Sequence, residues 1–274
     1  MDFFEQDRTG DHTPRPSVAP LADRMRPRTF DEFVGQAKIV GEGTPLRKAI
    51  EADRVGSCIF WGPPGSGKTT LAELIAHLTH GQFVQFSAVT SGIKEVKEVL
   101  QKAAKYYQLS VRRTYLFIDE IHRFNKAQQD AFLPYVEKGE IVLIGATTEN
   151  PSFEVNSALL SRMRVYVLER LSEDDLRKVT RRALTDTERG LAGMQVTIED
   201  SALDYLVVAA DGDARRALTL LEMTAQHVGI GKTIAVEQVT EVNQKGWLAY
   251  DKVGEEHYNI ISALHKTIRG GDPD

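Results

Sequence analysis

The residues that most constrain the fold lie in the stretch CIFWGPPGSGKTTLAELIA, from Cys58 to Ala76. Four apolar residues lead into a turn rich in glycine and proline, and a helical pattern follows the turn. The turn matches the pattern G-x-x-x-x-G-K-[ST], in which glycines let backbone N–H groups converge on an anion at the start of a helix. The matching residues are Gly62, Pro63, Pro64, Gly65, Ser66, Gly67, Lys68 and Thr69, and Thr70 continues the helix. The stretch therefore predicts a phosphate-binding loop between a strand and a helix.

Two side chains of this loop carry the predicted chemistry. Lys68 occupies the position whose ammonium group reaches the β- and γ-phosphates of a nucleotide, and the hydroxyl of Thr69 occupies the position that binds Mg²⁺. A chance match in a flexible loop would lack the strand before it and the helix after it. The sequence therefore predicts a nucleoside triphosphate and Mg²⁺ as ligands.

A pair of acids in the stretch YLFIDEIH supplies the second half of such a site. Asp119 ends the apolar run Tyr115–Ile118, and Glu120 follows it. Asp119 is predicted to hold Mg²⁺ through water, and Glu120 is predicted to polarise the water that attacks the phosphate. The pair follows the loop lysine by about 50 residues and an intervening strand, which is the arrangement of P-loop hydrolases. Adjacent acids also favour hydrolysis over phosphoryl transfer to a small acceptor.

The same stretch contains His122, for which two interpretations stay open. The histidine either couples to the nucleotide or is an ordinary residue at the start of a helix. The string DE-x-H also occurs in two-lobed helicases. Those enzymes need a second sheet lobe that brings arginines to the nucleotide, whereas the C-terminal part of this chain is short and helical in pattern.

Composition and charge restrict the class of protein. The chain has 274 residues, of which 42% are hydrophobic and 27% charged, as in ordinary globular proteins. Its formal net charge is −5, so a nucleic-acid partner would have to be bound by local basic patches. Cys58 is the only cysteine, which excludes an intramolecular disulfide and fits a reducing cytoplasm. The sequence has neither a membrane-length apolar run nor the apolar core of a signal peptide, so we expect no membrane association.

Apolar runs alternate with helical periodicity between Leu21 and Leu168. The predicted strands are Cys58–Trp61, Phe83–Phe86, Tyr115–Ile118, Ile141–Ala146 and Val165–Leu168. The predicted helices between them are Thr69–Thr79, Glu95–Tyr107 and Lys126–Glu137. This alternation predicts an α/β fold in which helices flank a parallel five-stranded sheet.

The pattern divides the chain into four predicted regions. Residues 1–20 are polar and rich in proline, and are predicted to be a disordered tail in which the pair Phe3-Phe4 is either a docking peptide or incidental. Residues 21–171 form the predicted α/β domain. Residues 172–244 form a predicted all-helical lid, beginning at Ser172 as a helix N-cap. Residues 245–274 begin a further helical region.

The motifs together resemble those of AAA+ ATPases. The blocks GPPGSGKTT, FIDEIHRF, LIGATTENPSFEVNSALLSRMRVYVL and DGDARRAL occur in the order of that family, and PLADRMRPRTFDEFVGQ resembles the adenine-side segment of its clamp-loader clade. Longer blocks, such as DEIHRFNKAQQDAFLPYVEKG, are similar to the replication-associated ATPases related to the eukaryotic Werner-helicase-interacting protein. The resemblance covers residues 21–274. It implies a P-loop AAA+ sheet with strand order 5-1-4-3-2, a helical lid, and ATP as the nucleotide.

The resemblance also assigns roles to three side chains. Thr148, at the end of the fourth strand run, corresponds to the sensor that hydrogen-bonds the γ-phosphate or the attacking water. Arg162, in the triplet SRM, corresponds to an arginine finger that acts on the nucleotide of the neighbouring subunit, with Met163 where many relatives have cysteine. Arg215 corresponds to the second sensor, and Arg216 points about 100° away on a helix.

The same resemblance places the segment around Val34 beside the adenine. The residues are Pro27, Val34, Gly35 and Gln36. Candidate DNA contacts are basic residues near a loop that such rings turn toward their central channel. These candidates are Lys94, beyond Ser91-Gly92, with Lys97, Arg112 and Arg113.

The function implied by the resemblance is DNA-dependent ATP hydrolysis by an oligomeric ring in replication-fork maintenance, recombination and repair. Its expected partners are single-stranded or gapped DNA, the single-stranded-DNA-binding protein, and further copies of the chain in a homotetramer. Its expected location is the cytoplasm, associated with the nucleoid. Known relatives continue into a helical collar that builds the tetramer, so we expect this chain to be an ATPase core that ends near Asp274, where the collar begins.

Two other functions stay open from the sequence. The first is a clamp-loader subunit, which uses ATP to load a sliding clamp onto DNA. The second is a nucleotide-dependent adaptor that hydrolyses little ATP. The presence of Lys68, Asp119, Glu120 and Arg162 disfavours the adaptor, because these residues carry the predicted hydrolysis.

Overall fold

The computed structural model describes residues 19–88, 93–110 and 112–244. Three sequence predictions fall outside these residues. They concern the Phe3-Phe4 pair, the Ser91-Gly92 loop and the start of the collar. Within the described part of the chain, no helix has the length and apolar character that crossing a membrane requires.

A five-stranded parallel sheet forms the centre of the first part of the chain. Its strands are β1 (Cys58–Trp61), β2 (Gln82–Ser87), β3 (Thr114–Asp119), β4 (Ile141–Thr147) and β5 (Arg164–Val167). Their order across the sheet is β2-β3-β4-β1-β5, and every neighbouring pair is parallel. The predicted strands and their order, read from the opposite edge, are therefore confirmed. Ligands bind such sheets at the carboxyl ends of the strands, where the strand order reverses.

Nine helices accompany the sheet within the described residues, and several are a single turn long. They are α1 (Leu21–Arg24), α2 (Ala37–Val40), α3 (Pro45–Glu51), α4 (Lys68–Leu78), α5 (Ile93–Ser110), α6 (Lys126–Asp130), α7 (Leu133–Glu137), α8 (Pro151–Glu154) and α9 (Ser157–Leu160). Alternate residues of β1 face opposite sides of the sheet. Phe60 packs in the cluster that contains α4, and Ile59 packs in the cluster that contains α5. The sheet is thus buried on both faces, as parallel sheets usually are.

The prediction of one continuous helix over Lys126–Glu137 is wrong. The structure has two short helices, α6 and α7, joined through Ala131 and Phe132. Pro134 has no N–H to donate to the carbonyl of Asp130, so a continuous helix would lack that hydrogen bond and would clash with the proline ring. The buried side chain of Phe132 fills the break.

A helical lid follows the sheet. It contains α10 (Glu173–Thr185), α11 (Asp200–Ala210), α12 (Ala214–Val228) and a helix over residues 236–244, here α13. Ser172 caps α10 as predicted, because its Oγ accepts a hydrogen bond from the backbone N–H of Asp175 at 3.2 Å. The lid also contains a two-stranded parallel sheet, β6 (Thr197–Ile198) and β7 (Thr233–Ile234), that the sequence analysis does not include.

The N-terminal segment packs against the lid. Leu21 and Met25 are buried in the same cluster as the lid helices. Arg24 also forms an ion pair with Glu222 of α12, with a distance of 3.0 Å between Nη2 and Oε1. From residue 19 onward, the described chain therefore lies first against the lid, crosses to the sheet, and returns to the lid after β5.

Candidate active site

A cavity lies between the carboxyl edge of the sheet and the lid, and its lining divides by chemistry. One group of lining residues is rich in glycine, hydroxyl and charged side chains: Pro64, Gly65, Ser66, Gly67, Lys68, Thr69, Thr70, Asp119, Glu120, Thr148 and Arg215. The other group is mainly apolar: Ala22, Met25, Pro27, Phe33, Val34, Leu171, Val179 and Leu218, with the charged side chains of Asp23, Arg26, Glu32 and Arg182 beside them. The first group suits phosphates and the second suits a flat, apolar base. We call them the phosphate end and the nucleoside end.

Glycines give the phosphate loop its shape. Gly65 and Gly67 have φ values of +66° and +96°, a region that side chains with a Cβ rarely occupy. A Cβ on Gly65 would also lie 1.9 Å from Oδ1 of Asp213, at the start of α12. The helix α4 begins at Lys68, directly after Gly67, so its first N–H groups are directed toward the phosphate end.

Lys68 is buried inside the loop, with 8% of its surface exposed. Its Nζ donates hydrogen bonds of 2.8 Å to the carbonyls of Gly62 and of Pro63. Burial lowers the pKa of Lys68, and the nearby carboxylates of Glu120 and Asp119 oppose that change. The structure thus brings the predicted lysine and the predicted acids into one electrostatic group, although they lie far apart in sequence.

The acid pair lies where β3 ends. Asp119 is the last residue of the strand, and Glu120 follows in a left-handed conformation with φ 54° and ψ 50°. A non-glycine residue in this region stores strain on the order of 1 kcal/mol, and such residues cluster at functional sites. The buried side chain of Ile121 holds the turn, because it packs where a Cβ on Gly145 of β4 would lie only 3.0 Å from its Cδ1.

The oxygen donors of the phosphate end fit Mg²⁺. The hydroxyl of Thr69 and the carboxylate of Asp119 line the same end of the cavity. Hard oxygen atoms of this kind, combined with phosphate oxygens, are the ligands that Mg²⁺ uses in nucleotide sites. Thr69 and Asp119 are therefore the residues that would hold the ion.

His122 connects the acid pair to β4. Its ring lies in the short helical turn Ile121–Arg123, and its Nδ1 is 2.9 Å from Oγ1 of Thr147, the last residue of β4. The same Nδ1 is 3.2 Å from Oε2 of Glu120. His122 thus contacts the predicted base, although it does not itself line the cavity, and its coupling to the nucleotide stays a prediction.

The two predicted sensors both reach the phosphate end. Thr148 follows β4 and lines the cavity with Glu120, while Arg215 enters from the first turn of α12. The backbone N–H of Ala214 donates to the carbonyl of Gly65 at 3.3 Å, so the start of α12 contacts the phosphate loop directly. The roles of Thr148 and Arg215 stay predictions, with positions that suit them.

Arg162 lies away from the cavity of its own chain. It stands two residues before Arg164, which pairs with Cys58 at the amino end of β1, whereas the phosphate loop follows the carboxyl end of that strand. Its guanidinium pairs with Glu137 at 2.6 Å and donates to the carbonyl of Ala158 at 2.7 Å. The predicted arginine finger is thus at the opposite edge of the sheet from Lys68.

Gln36, from the segment predicted beside the adenine, joins three backbone atoms with its side chain and is not among the residues that line the cavity. Its Nε2 donates to the carbonyl of Ser66 at 3.2 Å and to that of Glu169 at 2.7 Å, and its Oε1 accepts from the N–H of Glu169 at 3.1 Å. Glu169 belongs to the segment between β5 and the lid. We call this arrangement the Gln36 clamp. Val34 and Pro27 line the nucleoside end, and their contact with adenine stays a prediction.

Sequence reasoning missed most of the nucleoside end. It includes Leu171, in the linker before the lid, and Val179 and Leu218, in lid helices. In the sequence these residues have the same apolar pattern as core residues, so nothing local indicates that they line a cavity. Arg182 completes this wall by donating to the carbonyls of Glu32 at 2.6 Å and of Met25 at 3.0 Å, which ties the lid to the N-terminal segment.

The four candidate DNA contacts do not form one patch. Lys94 and Lys97 are exposed in the first turns of α5, at the carboxyl edge of the sheet. Arg112 and Arg113 are exposed after α5 ends, just before β3 begins at the amino edge. Since α5 has 18 residues, it separates the pairs by about 27 Å.

Two family models match the chain. The model for the ATPase family associated with various cellular activities (AAA) matches residues 58–171, and a model described as an AAA C-terminal domain matches residues 192–269. Among solved structures, the Thermotoga maritima RuvB Holliday junction branch migration motor is similar with a TM-score of 0.66 and 28% identity, over 81% of this chain and 72% of that one. The chain belongs to the AAA ATPases, and it is an ATP-hydrolysing P-loop ATPase.

Within that family, the curated relatives point to one protein. Replication-associated recombination protein A of Haemophilus influenzae is 50% identical over 100% of this chain and 60% of the relative. The Escherichia coli protein of the same name is 48% identical over 93% of this chain and 58% of the relative, and ATPase WRNIP1 of Dictyostelium discoideum is 41% identical over 93% of this chain and 31% of the relative. This chain is thus a homologue of replication-associated recombination protein A and spans about 60% of the length of the relatives that carry the name.

Proposed function

We propose that the chain is the ATPase core of a DNA-dependent, ring-forming motor that maintains replication forks and acts in recombination and repair. Its expected substrates are stalled forks, gaps and ends that expose single-stranded DNA in the cytoplasm, on the nucleoid. Support comes from the relatives named for replication-associated recombination and from the similarity to the RuvB Holliday junction branch migration motor. The expected partners are the single-stranded-DNA-binding protein and further copies of this chain in a homotetramer.

The geometry of the phosphate end supports the following hydrolysis. Lys68 and the N–H groups at the start of α4 bind the β- and γ-phosphates of ATP, while the nucleoside end takes the base. When bound, Mg²⁺ neutralises charge on the phosphate oxygens. Glu120 accepts the proton of a water whose oxygen attacks the γ-phosphorus, and the bond from that phosphorus to the bridging oxygen of ADP breaks. Thr148 orients the water, and Arg215 binds the γ-phosphate from the lid.

The observation that carries the ring proposal is the division of this machinery between two edges of the sheet. Lys68 and Glu120 line the cavity at the carboxyl edge, and Arg162 lies at the amino edge, paired with Glu137. An arginine in that place is suited to the nucleotide of a neighbouring copy. An arginine finger supplied in this way is worth roughly 10³ to 10⁵ in rate in well-studied phosphoryl-transfer enzymes, so a lone chain should hydrolyse ATP slowly.

The test is steady-state ATP hydrolysis at increasing protein concentration, with and without single-stranded or gapped DNA. We expect the rate per chain to rise with concentration, because mass action populates the interface, and to rise again with DNA. Mixing Arg162→Ala chains with Lys68→Ala chains should restore activity that neither has alone, since some interfaces then pair an intact Lys68 with an intact Arg162. Mixtures that co-assemble yet stay as inactive as their parents would contradict action between subunits. A rate unaffected by any of the DNA structures would contradict the DNA-dependent function.

A further inference from the structure

His122 lies between Glu120, the predicted general base, and β4, the strand that precedes the predicted sensor Thr148. Its side chain is 15% exposed, and its Nδ1 faces two oxygens, Oγ1 of Thr147 at 2.9 Å and Oε2 of Glu120 at 3.2 Å. One ring nitrogen thus contacts both Glu120, the predicted base that follows β3, and Thr147, the last residue of β4. Thr148, the predicted sensor, is the next residue along the chain.

The partners of Thr147 determine which ring nitrogen carries the proton. The Thr147 hydroxyl accepts from the N–H of Glu149 at 3.0 Å and donates its single proton to the carbonyl of Glu149 at 3.3 Å. With its proton directed at that carbonyl, Oγ1 has a lone pair available for His122. A lone pair on Nδ1 would also face the carboxylate of Glu120 and repel it. We therefore place the hydrogen on Nδ1, where it is a donor toward both oxygens.

One oxygen of Glu120 needs such a donor. Its Oε2 is buried and makes no hydrogen bond with the described residues, although the side chain as a whole is 31% exposed and lines the cavity. A buried carboxylate oxygen without a donor is destabilised by a few kcal/mol. The Nδ1–H of His122 is in contact with it, and a small rotation of the ring or of the carboxylate would align the pair.

We propose that His122 is the positioning residue for Glu120. The Nδ1–H, held in place by Thr147, fixes Oε2 on the protein side of the carboxylate and leaves Oε1 directed at the cavity, where it accepts the proton of the attacking water. This inference rests on the proposed hydrolysis at the same site. It adds a role for His122 that acts through Glu120 and involves no contact with the nucleotide.

The role predicts a loss in turnover without a loss in binding. A general base contributes about 10²- to 10⁴-fold to rate, and a base that keeps its charge but loses its orientation should forfeit part of that. We therefore expect His122→Phe, which keeps a ring but removes the donor, to lower kcat about 10- to 100-fold. The KM for ATP should change little, whereas the thermal midpoint of unfolding should fall, because the buried Oε2 of Glu120 loses its donor.

A matched variant separates the donor from the ring. In His122→Asn the side-chain amide nitrogen is bonded to Cγ, as Nδ1 is in histidine, so it can donate from nearly the same place. We expect His122→Asn to keep kcat within about fivefold of the wild-type value, a loss of about 1 kcal/mol in transition-state stabilisation. If His122→Asn and His122→Phe lower kcat equally, while both proteins stay folded at the assay temperature, the positioning role is wrong.

The decisive measurement makes the His122→Phe substitution in a protein that already lacks the predicted base, Glu120. In a Glu120→Gln background, His122→Phe should alter the residual single-turnover rate of ATP hydrolysis less than twofold, because the group through which it acts is gone. An equal loss in both backgrounds would mean that His122 acts independently of Glu120.

The controls also test the proposed function itself. If Lys68→Ala and Glu120→Gln both hydrolyse ATP at the wild-type rate, the site is wrong as a whole. If both are inactive while His122→Phe keeps full kcat, only the role of His122 fails.

Discussion

The two ends of the cavity are built in different ways. The phosphate end comes mainly from one continuous segment, Pro64–Thr70, with the acids at the end of β3. The nucleoside end is assembled from the N-terminal segment, the residues around Val34, the linker at Leu171 and two lid helices. The first belongs mainly to the sheet, whereas the second is shared between the N-terminal segment and the lid.

This difference separates two kinds of interaction energy. Contacts at the phosphate end act on charge that changes during hydrolysis, so they should govern turnover and the distinction between nucleotides by phosphate. Contacts at the nucleoside end act on a base that does not react. They should contribute equally to the binding of ATP, ADP and the transition state, and therefore change affinity alone.

The largest expected effect is that of Glu120→Gln. The amide keeps the shape of the side chain but cannot accept the proton of water, so kcat should fall about 10²- to 10⁴-fold while ATP affinity stays within about threefold of wild type. Single-turnover hydrolysis and equilibrium binding measure the two quantities. Glu149→Gln, at an exposed position on the same edge of the sheet, is the matched control and should be silent. Turnover near the wild-type rate in Glu120→Gln would mean that the water is activated elsewhere.

Lys68→Ala should have the second-largest effect. It should weaken the binding of ligands that carry phosphates and leave the binding of the nucleoside alone unchanged. Losing the hydrogen bonds from a charged amine costs about 3 kcal/mol, which corresponds to about 10²-fold in affinity for ATP. Adenosine, which has no phosphate, should bind equally well to both proteins. Competition against a fluorescent ATP analogue measures both affinities, with exposed Lys48→Ala as control. If Lys68→Ala lowered the affinities for ATP and for adenosine equally, the two ends of the cavity would not have the separate roles described above.

Gly65→Ala should affect both ends, because Gly65 is where the phosphate loop contacts the lid. Its Cβ would lie 1.9 Å from Oδ1 of Asp213, so either α12 or the loop must shift. Gly43→Ala carries a similar backbone penalty, with φ +78°, but meets no atom within 4 Å. Both variants should lose about 1 kcal/mol of unfolding free energy through the backbone conformation, and Gly65→Ala should lose more because of the clash with Asp213. Only Gly65→Ala should bind ATP and ADP about tenfold more weakly. Calorimetry measures both effects, and equal nucleotide affinities in the two variants would contradict the contact.

Val34→Ala should have the smallest effect. Removing two methyl groups from the nucleoside end costs about 1 kcal/mol, or about fivefold in affinity, to the same extent for ATP and ADP and without change in kcat. Val208→Ala is the control, because Val208 lies on the lid with 63% of its surface exposed and does not line the cavity. If Val34→Ala lowered the affinity for ATP more than the affinity for ADP, Val34 would affect the binding of the phosphates as well as that of the base.

The same division explains how much could be predicted from the sequence. The strands were predictable because each is a short apolar run that ends at a turn, and the phosphate loop because its spacing is local. The acid pair was predictable because Asp119 ends such a run. The nucleoside end was not, because Val179 and Leu218 look like any core position until tertiary packing turns them toward the cavity. The single-turn helix Ala37–Val40 is too short to give a period.

Two further features of the structure could not be predicted from the sequence, because they depend on hydrogen bonds to the backbone or on an unusual backbone conformation. Gln36 was predicted to lie beside the adenine, but its side chain satisfies the carbonyls of Ser66 and Glu169, which sequence spacing alone does not reveal. The contact between His122 and Glu120 requires the left-handed turn at Glu120, a conformation that propensity does not favour for glutamate. In both places a residue follows its tertiary partners rather than its local preference.

The Gln36 clamp makes the position of the lid and the shape of the phosphate loop interdependent. Its hydrogen bonds to Ser66 and to Glu169 persist together only while the segment that carries the lid stays near the loop. Linkage is reciprocal, so a ligand that favours one lid position must itself be bound more tightly in that position, by the same factor. A force applied to the lid from outside, such as the push of a neighbouring chain, would therefore alter nucleotide affinity without touching the nucleotide.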